Sequence, residues 1–341
     1  MAYEGIGEIS RAYLPEPQSE KLILNEKSMV TFVSRRGGVD YVVIAGHTRL
    51  ETAEASSKFP SSWIRLTPLS SYILNCSQVV LGPVVYSYQG VSFEELSKVN
   101  ATILIIDPDD SRLIKEELKM LHAQGKTVIA YVSIGQAESY RSYWKKEWRE
   151  NPPSWLGAED PEWPENYWVK YWEPKWREMV LNLIEQIVER GYDGVLLDRV
   201  DAYEYWEEKG VFDAKQRMIN FILEISSMAK KERCFLIIPQ NSEELIEHPD
   251  YMKAIDGISC EDVWTINDVP VPQDQVELRL SYLDRMISNG KLVLVIDYPS
   301  STQMRREFCL KAKERGYLPY SSSTDLFGID YEFLSECWGG P

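Results

Sequence analysis

Histidine is scarce in this chain. His47, His122 and His248 are the only three among 341 residues, and none follows a strand-like run, which counts against the histidine-rich metal sites of many barrel hydrolases. Ser133 and Ser259 therefore lack a histidine base, and a serine-hydrolase triad is not expected. The five cysteines, Cys76, Cys234, Cys260, Cys309 and Cys337, are scattered and form no Cys-x-x-Cys pair. That argues against a thiolate zinc site and leaves buried reduced thiols as the expectation. No apolar run approaches the roughly 20 residues that span a bilayer. Met1-Ala2-Tyr3-Glu4-Gly5 has neither the basic flank nor the apolar stretch of a secretory leader. A cytoplasmic protein is expected, or a secreted one whose leader has been removed. Positive charge is in deficit, with 37 Lys and Arg against 53 Asp and Glu and a formal charge of −16. Such a field disfavours nucleic acid and anionic membranes as partners. It suits a cationic substrate, and it equally suits an ordinary soluble acidic protein.

What is present is an ordinary globular composition, 44% hydrophobic and 26% charged, long enough for one barrel-sized domain and something smaller. From Val84 onward, apolar β-branched runs alternate with amphipathic stretches. The runs are Val84–Tyr88, Thr102–Asp107, Thr127–Ser133, Gly194–Asp198, Cys234–Gln240, Gly257–Glu261, Leu292–Asp297 and Tyr317–Ser321. They lack polar alternation, as parallel strands buried on both faces do. A helix is predicted over Ser111–Gln124, with Leu113, Leu118 and Leu121 on one face and Gly125 as its stop. Pro174 opens another that runs through Met179, Leu183 and Ile187 to Gly191. Ala214–Lys230, Gln273–Asn289 and Thr302–Arg315 read the same way. Eight strands with intervening helices over about 260 residues match a (β/α)8 TIM barrel. The competing doubly wound sheet would show a glycine-rich phosphate loop after its first strand, where this chain has Tyr88-Gln89-Gly90. No cofactor is expected.

Residues before about Leu81 do not follow the alternation. Met29–Ser34 and Tyr41–Ala45 flank Arg35-Arg36-Gly37-Gly38 as a hairpin, and a short helix near Thr48–Lys58 is expected to follow. The predicted organisation is a small β-rich N-terminal extension, residues 1–81, and a barrel, residues 82–341. The longest departure from barrel regularity lies between Ile134 and Pro174, at the end of the third strand. Trp144, Trp148, Trp155, Trp163, Trp168, Trp172 and Trp176, seven of the 11 tryptophans, fall there or just beyond. A connection this long is more often functional than accidental, and at least one of these rings is expected to line a groove.

The most informative stretch is Gly191-Tyr192-Asp193-Gly194-Val195-Leu196-Leu197-Asp198-Arg199-Val200-Asp201, a short buried strand ending in a carboxylate. Barrel chemistry sits at the C-terminal ends of the strands, and Glu261 ends the sixth strand as Asp198 ends the fourth. Strands two apart in an eight-strand ring can point their last side chains into one mouth. Paired carboxylates so placed suit glycoside hydrolysis, where one group attacks or stabilises and the other moves the proton. A salt bridge or a helix cap is the other use of a strand-end carboxylate. Asp201 follows Asp198 at i+3, and Asp107 and Asp297 end strands two and seven. This charge could orient sugar hydroxyls, meet a substrate ammonium, or bind Mg2+ or Ca2+ through oxygen, although the clustered D-x-D-x-D-G pattern is missing. Tyr88, Gln89, Tyr131, Ser133, Gln240 and Asn241 also end strands, and neutral donors and acceptors beside aromatic rings suit a carbohydrate. The candidate substrate-binding residues are Tyr88, Asp107, Tyr131, Ser133, Trp172, Asp201, Asn241 and Asp297. Strand alternation sends Cys260 to the side opposite Glu261. The functions in contention are a glycoside hydrolase, a carbohydrate-binding barrel without turnover that uses the tryptophan-rich insertion, and a metal-assisted barrel enzyme. The shortage of histidine counts against the last.

Four segments, in order and spacing, carry a family resemblance. They are Ile103-Leu104-Ile105-Ile106-Asp107, Val128 to Arg141 (VIAYVSIGQAESYR), Trp168-Val169-Lys170-Tyr171-Trp172, and Gly191 to Asp198. Together they resemble glycoside hydrolase family 114, whose characterised activity is endo-α-1,4-polygalactosaminidase, over approximately Val84 to Ser322. The resemblance implies a (β/α)8 barrel and retaining hydrolysis of α-1,4-linked galactosamine polymers. By motif position it implies Asp198 as nucleophile, Glu261 as general acid/base, and Gln240-Asn241 as the polar pair ending the fifth strand. Two positions depart from the family pattern. Arg199 stands where members often carry Asn, and Asp262-Val263-Trp264 follows Glu261 where the fungal branch has a cysteine-containing sequence. An inward-pointing Arg199 would oppose a cationic sugar.

Overall fold

The computed structural model describes residues 81–231 and 233–339 in full, together with the backbone of four earlier strands. The chain divides into two compact units, Met1–Pro68 and Leu69–Pro341. In the first, β1 (Val30–Arg36) and β2 (Val39–Ala45) pair antiparallel from Val30 opposite Ala45 to Arg36 opposite Val39. The predicted hairpin is there, with both strands extending further toward the turn. The predicted helix over Thr48–Lys58 lies outside the described residues. The second unit opens with another antiparallel pair, β3 (Ser71–Leu74) and β4 (Ser77–Val80).

The barrel follows. Its strands are β5 (Val84–Ser87), β6 (Ile103–Ile106), β7 (Thr127–Ser133), β11 (Gly194–Asp198), β12 (Leu236–Pro239), β13 (Gly257–Glu261), β16 (Leu292–Asp297) and β17 (Leu318–Ser321). Between β7 and β11 lie β8 (Gln136–Glu138), β9 (Leu156–Glu159) and β10 (Asn166–Val169), and after β13 come the two-residue strands β14 (Thr265–Ile266) and β15 (Val269–Pro270). Neighbours are parallel through β5-β6-β7-β11-β12 and through β13-β16-β17. Two parallel bridges close the ring, Gln240 with Ser259 and Gln89 with Phe327. At those seams Asn241 N–H donates to Ser259 O at 2.7 Å and Tyr88 N–H to Leu326 O at 2.9 Å. Inside, the Tyr86 hydroxyl meets Ser259 Oγ at 2.7 Å, and its ring stacks 5.7 Å from that of Tyr320. The (β/α)8 architecture expected from the alternation is the one observed.

Local chemistry explains where the elements begin and end. The helix α4 (Pro174–Arg190) has Pro174 in its first turn and stops at Gly191, whose φ of 107° suits glycine. Its buried stripe is Trp176, Val180, Ile184 and Ile187, one position over from the predicted Met179 and Leu183, which flank the core. The single helix predicted over Ser111–Gln124 is two. In α2 (Pro108–Ser111) the Asp107 carboxylate accepts from Asp109 N–H at 2.8 Å, and the helix ends where Arg112 turns left-handed at φ 48°. The longer α3 (Lys115–Ala123) starts afresh, with Glu117 accepting the Ile114 N–H.

Two expectations are corrected. The cysteines are not all reduced thiols: Cys309 is joined to Cys337, and Cys234 is also disulfide-bonded, while Cys260 is free and buried. Cys309 on the helix α9 (Thr302–Glu314) and Cys337 on the terminal helix α10 (Tyr331–Trp338) tie the end of the chain to the barrel wall. The stretch from Ile134 to Pro174 is not a bare loop either. It contains a three-stranded antiparallel sheet in the order β8-β10-β9. Its tryptophans pack largely on one another, with ring centroids 5.4 Å apart for Trp144–Trp148, 5.0 Å for Trp148–Trp155 and 5.0 Å for Trp155–Trp176. The insertion thus carries its own aromatic core, anchored where Trp176 Nε1 donates to Ile134 O at 2.9 Å.

Candidate active site

The C-terminal ends of three adjacent strands build the centre of the mouth. Asp198 is the last residue of β11 and Glu261 the last of β13, with Gln240 and Asn241 directly after β12 between them. Arg199, Asn241 and Asp262, the residues that turn the chain away from this rim, all have positive φ, 58°, 59° and 53°. No glycine stands at any of the three, so each turn carries backbone strain of the kind that gathers at functional sites.

Each carboxyl is held by named donors. The Tyr131 hydroxyl, from β7, donates to Asp198 Oδ2 at 2.7 Å. Tyr298, the residue after β16, donates its hydroxyl to Glu261 Oε1. Asn241 makes a reciprocal pair with Glu261: its Nδ2 donates to Oε2 at 3.3 Å, and its Oδ1 accepts the Glu261 N–H at 3.0 Å. Gln240 gives Glu261 a further hydrogen bond. Burial pushes the Glu261 carboxyl up to about 7, and the negative charge of Asp198 adds to the rise, while Tyr298, Gln240 and Asn241 pull it back. Burial also raises Asp198, but there the Arg199 guanidinium and the Tyr131 hydroxyl favour the anion. The Asp198 charge in turn helps keep a proton on Glu261. Opposed influences of this kind suit one carboxyl to act as an anion and the other as an acid.

Tyr88 joins this pair. Its ring lies 4.2 Å from that of Tyr131, its hydroxyl has no hydrogen-bond partner among the described residues, and both Asp198 and Glu261 disfavour its ionisation. Of the residues anticipated from sequence, the structure brings together Asp198, Glu261, Tyr88, Tyr131 and Asn241. Asp201 stands at the rim, 3.9 Å from Arg199 Nε. The others have structural partners. Asp107 caps α2 and pairs with Arg141 Nη1 at 2.5 Å. Ser133 donates to Gln136 O at 3.1 Å. Asp297 is fully buried and accepts from the N–H groups of Val263, Trp264 and Thr265, so it anchors the turn behind Glu261. Trp172 meets Tyr171 and Trp206 edge-on and lines a separate groove of about 400 Å³ with Pro174, Arg177, Glu178, Leu181, Asn182 and Glu224. No residue of that groove belongs to the carboxylate site.

Sequence reasoning missed Tyr298, although the signal was available. In β16 alternation puts Tyr298 on the side of Ile296, opposite Asp297, and Ile296 pairs with Glu261. It also missed the partner of Arg199. Arg199 Nη2 meets Asp160 Oδ2 at 2.7 Å, and the guanidinium lies 4.7 Å over Trp168, whose ring stacks 4.5 Å from Tyr205. Its charge is thus directed into the insertion. Gly135 completes the join, because a Cβ there would lie 2.0 Å from Arg199 O.

Comparison with known proteins gives the family and the fold. The family model for Glycoside-hydrolase family GH114 matches residues 82–337. An uncharacterized protein of Methanocaldococcus jannaschii is 38% identical over 260 residues, covering 70% of this chain and 75% of that protein. Another, from Thermotoga maritima, is 36% identical over 260 residues, covering 71% and 80%. Among solved structures, the glycoside hydrolase domain of PelA from Pseudomonas aeruginosa superposes with a TM-score of 0.59 at 19% identity, covering 72% of this chain and 95% of that one. Aspergillus fumigatus Ega3 in complex with galactosamine gives 0.59 at 19% identity, covering 77% and 98%. At that identity the superpositions establish the shared fold.

Proposed function

The chain belongs to glycoside hydrolase family GH114 and is a glycoside hydrolase, and from that premise we propose that it cleaves an α-1,4-linked amino-sugar polymer with retention at the anomeric carbon. In this reading the Asp198 carboxylate attacks the anomeric carbon while Glu261, still protonated, gives its proton to the departing glycosidic oxygen. A covalent glycosyl ester on Asp198 results. Glu261, now an anion, takes a proton from water, which attacks the same carbon and releases Asp198. The observation that carries the proposal is the placing of two carboxyls at the ends of β11 and β13, Asp198 held by the Tyr131 hydroxyl and Glu261 by Tyr298 and Asn241.

Support for an amino sugar is chemical. The formal charge of −16 favours a polycation, Asp201 stands at the rim of the mouth, and the guanidinium of Arg199, next to Asp198 in sequence, is paired with Asp160. The fold neighbour Ega3 was solved with galactosamine. The test is the release of reducing ends from α-1,4-linked polygalactosamine. Asp198→Asn and Glu261→Gln should each reduce it at least about 1,000-fold in folded protein. Full activity in either variant removes the proposal, and saturable binding by the native protein without products would make it a carbohydrate-binding barrel.

A further inference from the structure

Each carboxyl of the site takes one tyrosine hydroxyl, and the two tyrosines come from different strands. Tyr131 reaches Asp198 and Tyr298 reaches Glu261. Resting on the assignment of Asp198 as nucleophile and Glu261 as acid/base, we propose that Tyr131 and Tyr298 are paired positioning residues whose hydrogen bonds each set one limb of the pH profile.

The physical basis is the preference of a phenol donor for a charged acceptor. A hydrogen bond donated to a carboxyl stabilises its anion more than its acid, so removing the donor raises the pKa. Both phenols remain donors throughout the range in which the carboxyls titrate, because burial and the neighbouring carboxylates push their own ionisation well above the ordinary value. Tyr131 is also fixed in place. Tyr131 packs against the Tyr88 ring at 4.2 Å, has the Arg141 guanidinium 5.6 Å from its centroid, and lies 3.4 Å from a second acceptor, Glu138 Oε1. Arg141 is itself held by Glu138 at 2.6 Å and Asp107 at 2.5 Å.

The other groups acting on each carboxyl are known. Asp198 faces Arg199, Asp201 and Tyr88, and Glu261 faces Asp198, Gln240, Asn241, Tyr86 and Tyr88, with Asp262 also acting on Tyr298. None of these changes when one tyrosine hydroxyl is deleted. In a retaining enzyme the acid limb of kcat/KM follows ionisation of the nucleophile and the alkaline limb follows loss of the acid's proton. Tyr131→Phe therefore raises the acid limb and narrows the active range. Tyr298→Phe raises the alkaline limb and widens it. A hydrogen bond to a charged group corresponds to a shift of about 1 pH unit in each case. Damage to packing alone would lower the whole curve and leave both limbs in place.

The experiment compares kcat/KM from pH 4 to 9 for the native enzyme, Tyr131→Phe and Tyr298→Phe on α-1,4-linked polygalactosamine, with Asp198→Asn and Glu261→Gln alongside. Activity in the carboxyl variants would overturn the assignment on which the proposal rests. If they are inactive and each tyrosine variant moves its own limb upward, the proposal stands. If they are inactive and the limbs do not move, or the wrong limb moves, the proposal is wrong and the assignment survives. Should a phenylalanine variant fail to fold, the native protein supplies the test by proton NMR. The downfield hydroxyl resonance of Tyr298 should follow the Glu261 titration near pH 7, and that of Tyr131 should follow the titration of Asp198. Resonances indifferent to pH through this range would overturn the proposal.

Discussion

Replacing Asp198 with asparagine removes a charge that helps keep the proton on Glu261. The Glu261 carboxyl stands at about 7 against an ordinary value of 4.5, a rise of about 2.5 units between those two values. Burial is the larger cause, Asp198 is next, and three hydrogen-bond donors oppose them. Retaining hydrolysis needs carboxyls about 5–5.5 Å apart, and in an effective dielectric of about 20 two anions at that separation repel by about 3 kcal/mol, or about 2 pH units. Water in the open mouth of the barrel screens part of this. In Asp198→Asn the Glu261 midpoint should therefore fall by about 1–2 units, to roughly pH 5–6. The assay is a carboxyl-carbon NMR titration of protein labelled at glutamate, with the Glu261 signal identified by its loss in Glu261→Gln. An unmoved midpoint would mean that the two groups do not share a hollow, and the reasoning would be refuted.

Three further outcomes follow from particular contacts. The unfolded chain ionises Glu261 near 4.5 and the folded chain near 7, so the folded state keeps a proton the unfolded state has lost. Stability thus falls as pH rises through that window, by at most about 3 kcal/mol. Glu261→Gln should accordingly be more stable than the native protein in urea at pH 8 and similar to it at pH 4, and equal stability at both would contradict the shift. The Cys309–Cys337 disulfide spans 28 residues of sequence, for which loop entropy gives about 3–4 kcal/mol. Changing both cysteines to serine should lower Tm by several degrees, and an unchanged melt would show that the bond does not form in solution. In Gly135→Ala the new Cβ would lie 2.0 Å from Arg199 O. The displaced turn should cost about 1–3 kcal/mol and, by moving the residue next to Asp198, about 100-fold in kcat. Native kinetics in this variant would show that the join is slack.

Much of the barrel was legible because buried parallel strands leave a simple trace. The apolar runs ending at Ser133, Asp198, Glu261 and Asp297 match the observed strand ends, and Pro174 and Gly191 marked a helix by their backbone preferences alone. The carboxylate pair was legible for the same reason, since strand ends face the mouth. The partners of the other acids were not. Arg141 neutralises Asp107 from 34 positions away, and Asp297 is used up by backbone N–H groups of a turn in a different segment. Residue type alone cannot separate such anchors from substrate contacts. Tyr298 was readable by alternation, but Asp297 beside it drew the choice by its charge. The tryptophans were ambiguous in another way: clustered aromatics suit either a sugar platform or a small core, and here Trp144, Trp148, Trp155 and Trp176 form a core while Trp172 lines a groove.

The most direct test of the account is the configuration of the first product formed. Proton NMR of the anomeric signals during early cleavage of α-1,4-linked polygalactosamine should show the α-anomer at the new reducing end, with the β-anomer growing in only through later mutarotation. Initial appearance of the β-anomer would mean a single inverting displacement by water, and Asp198 would not be the nucleophile.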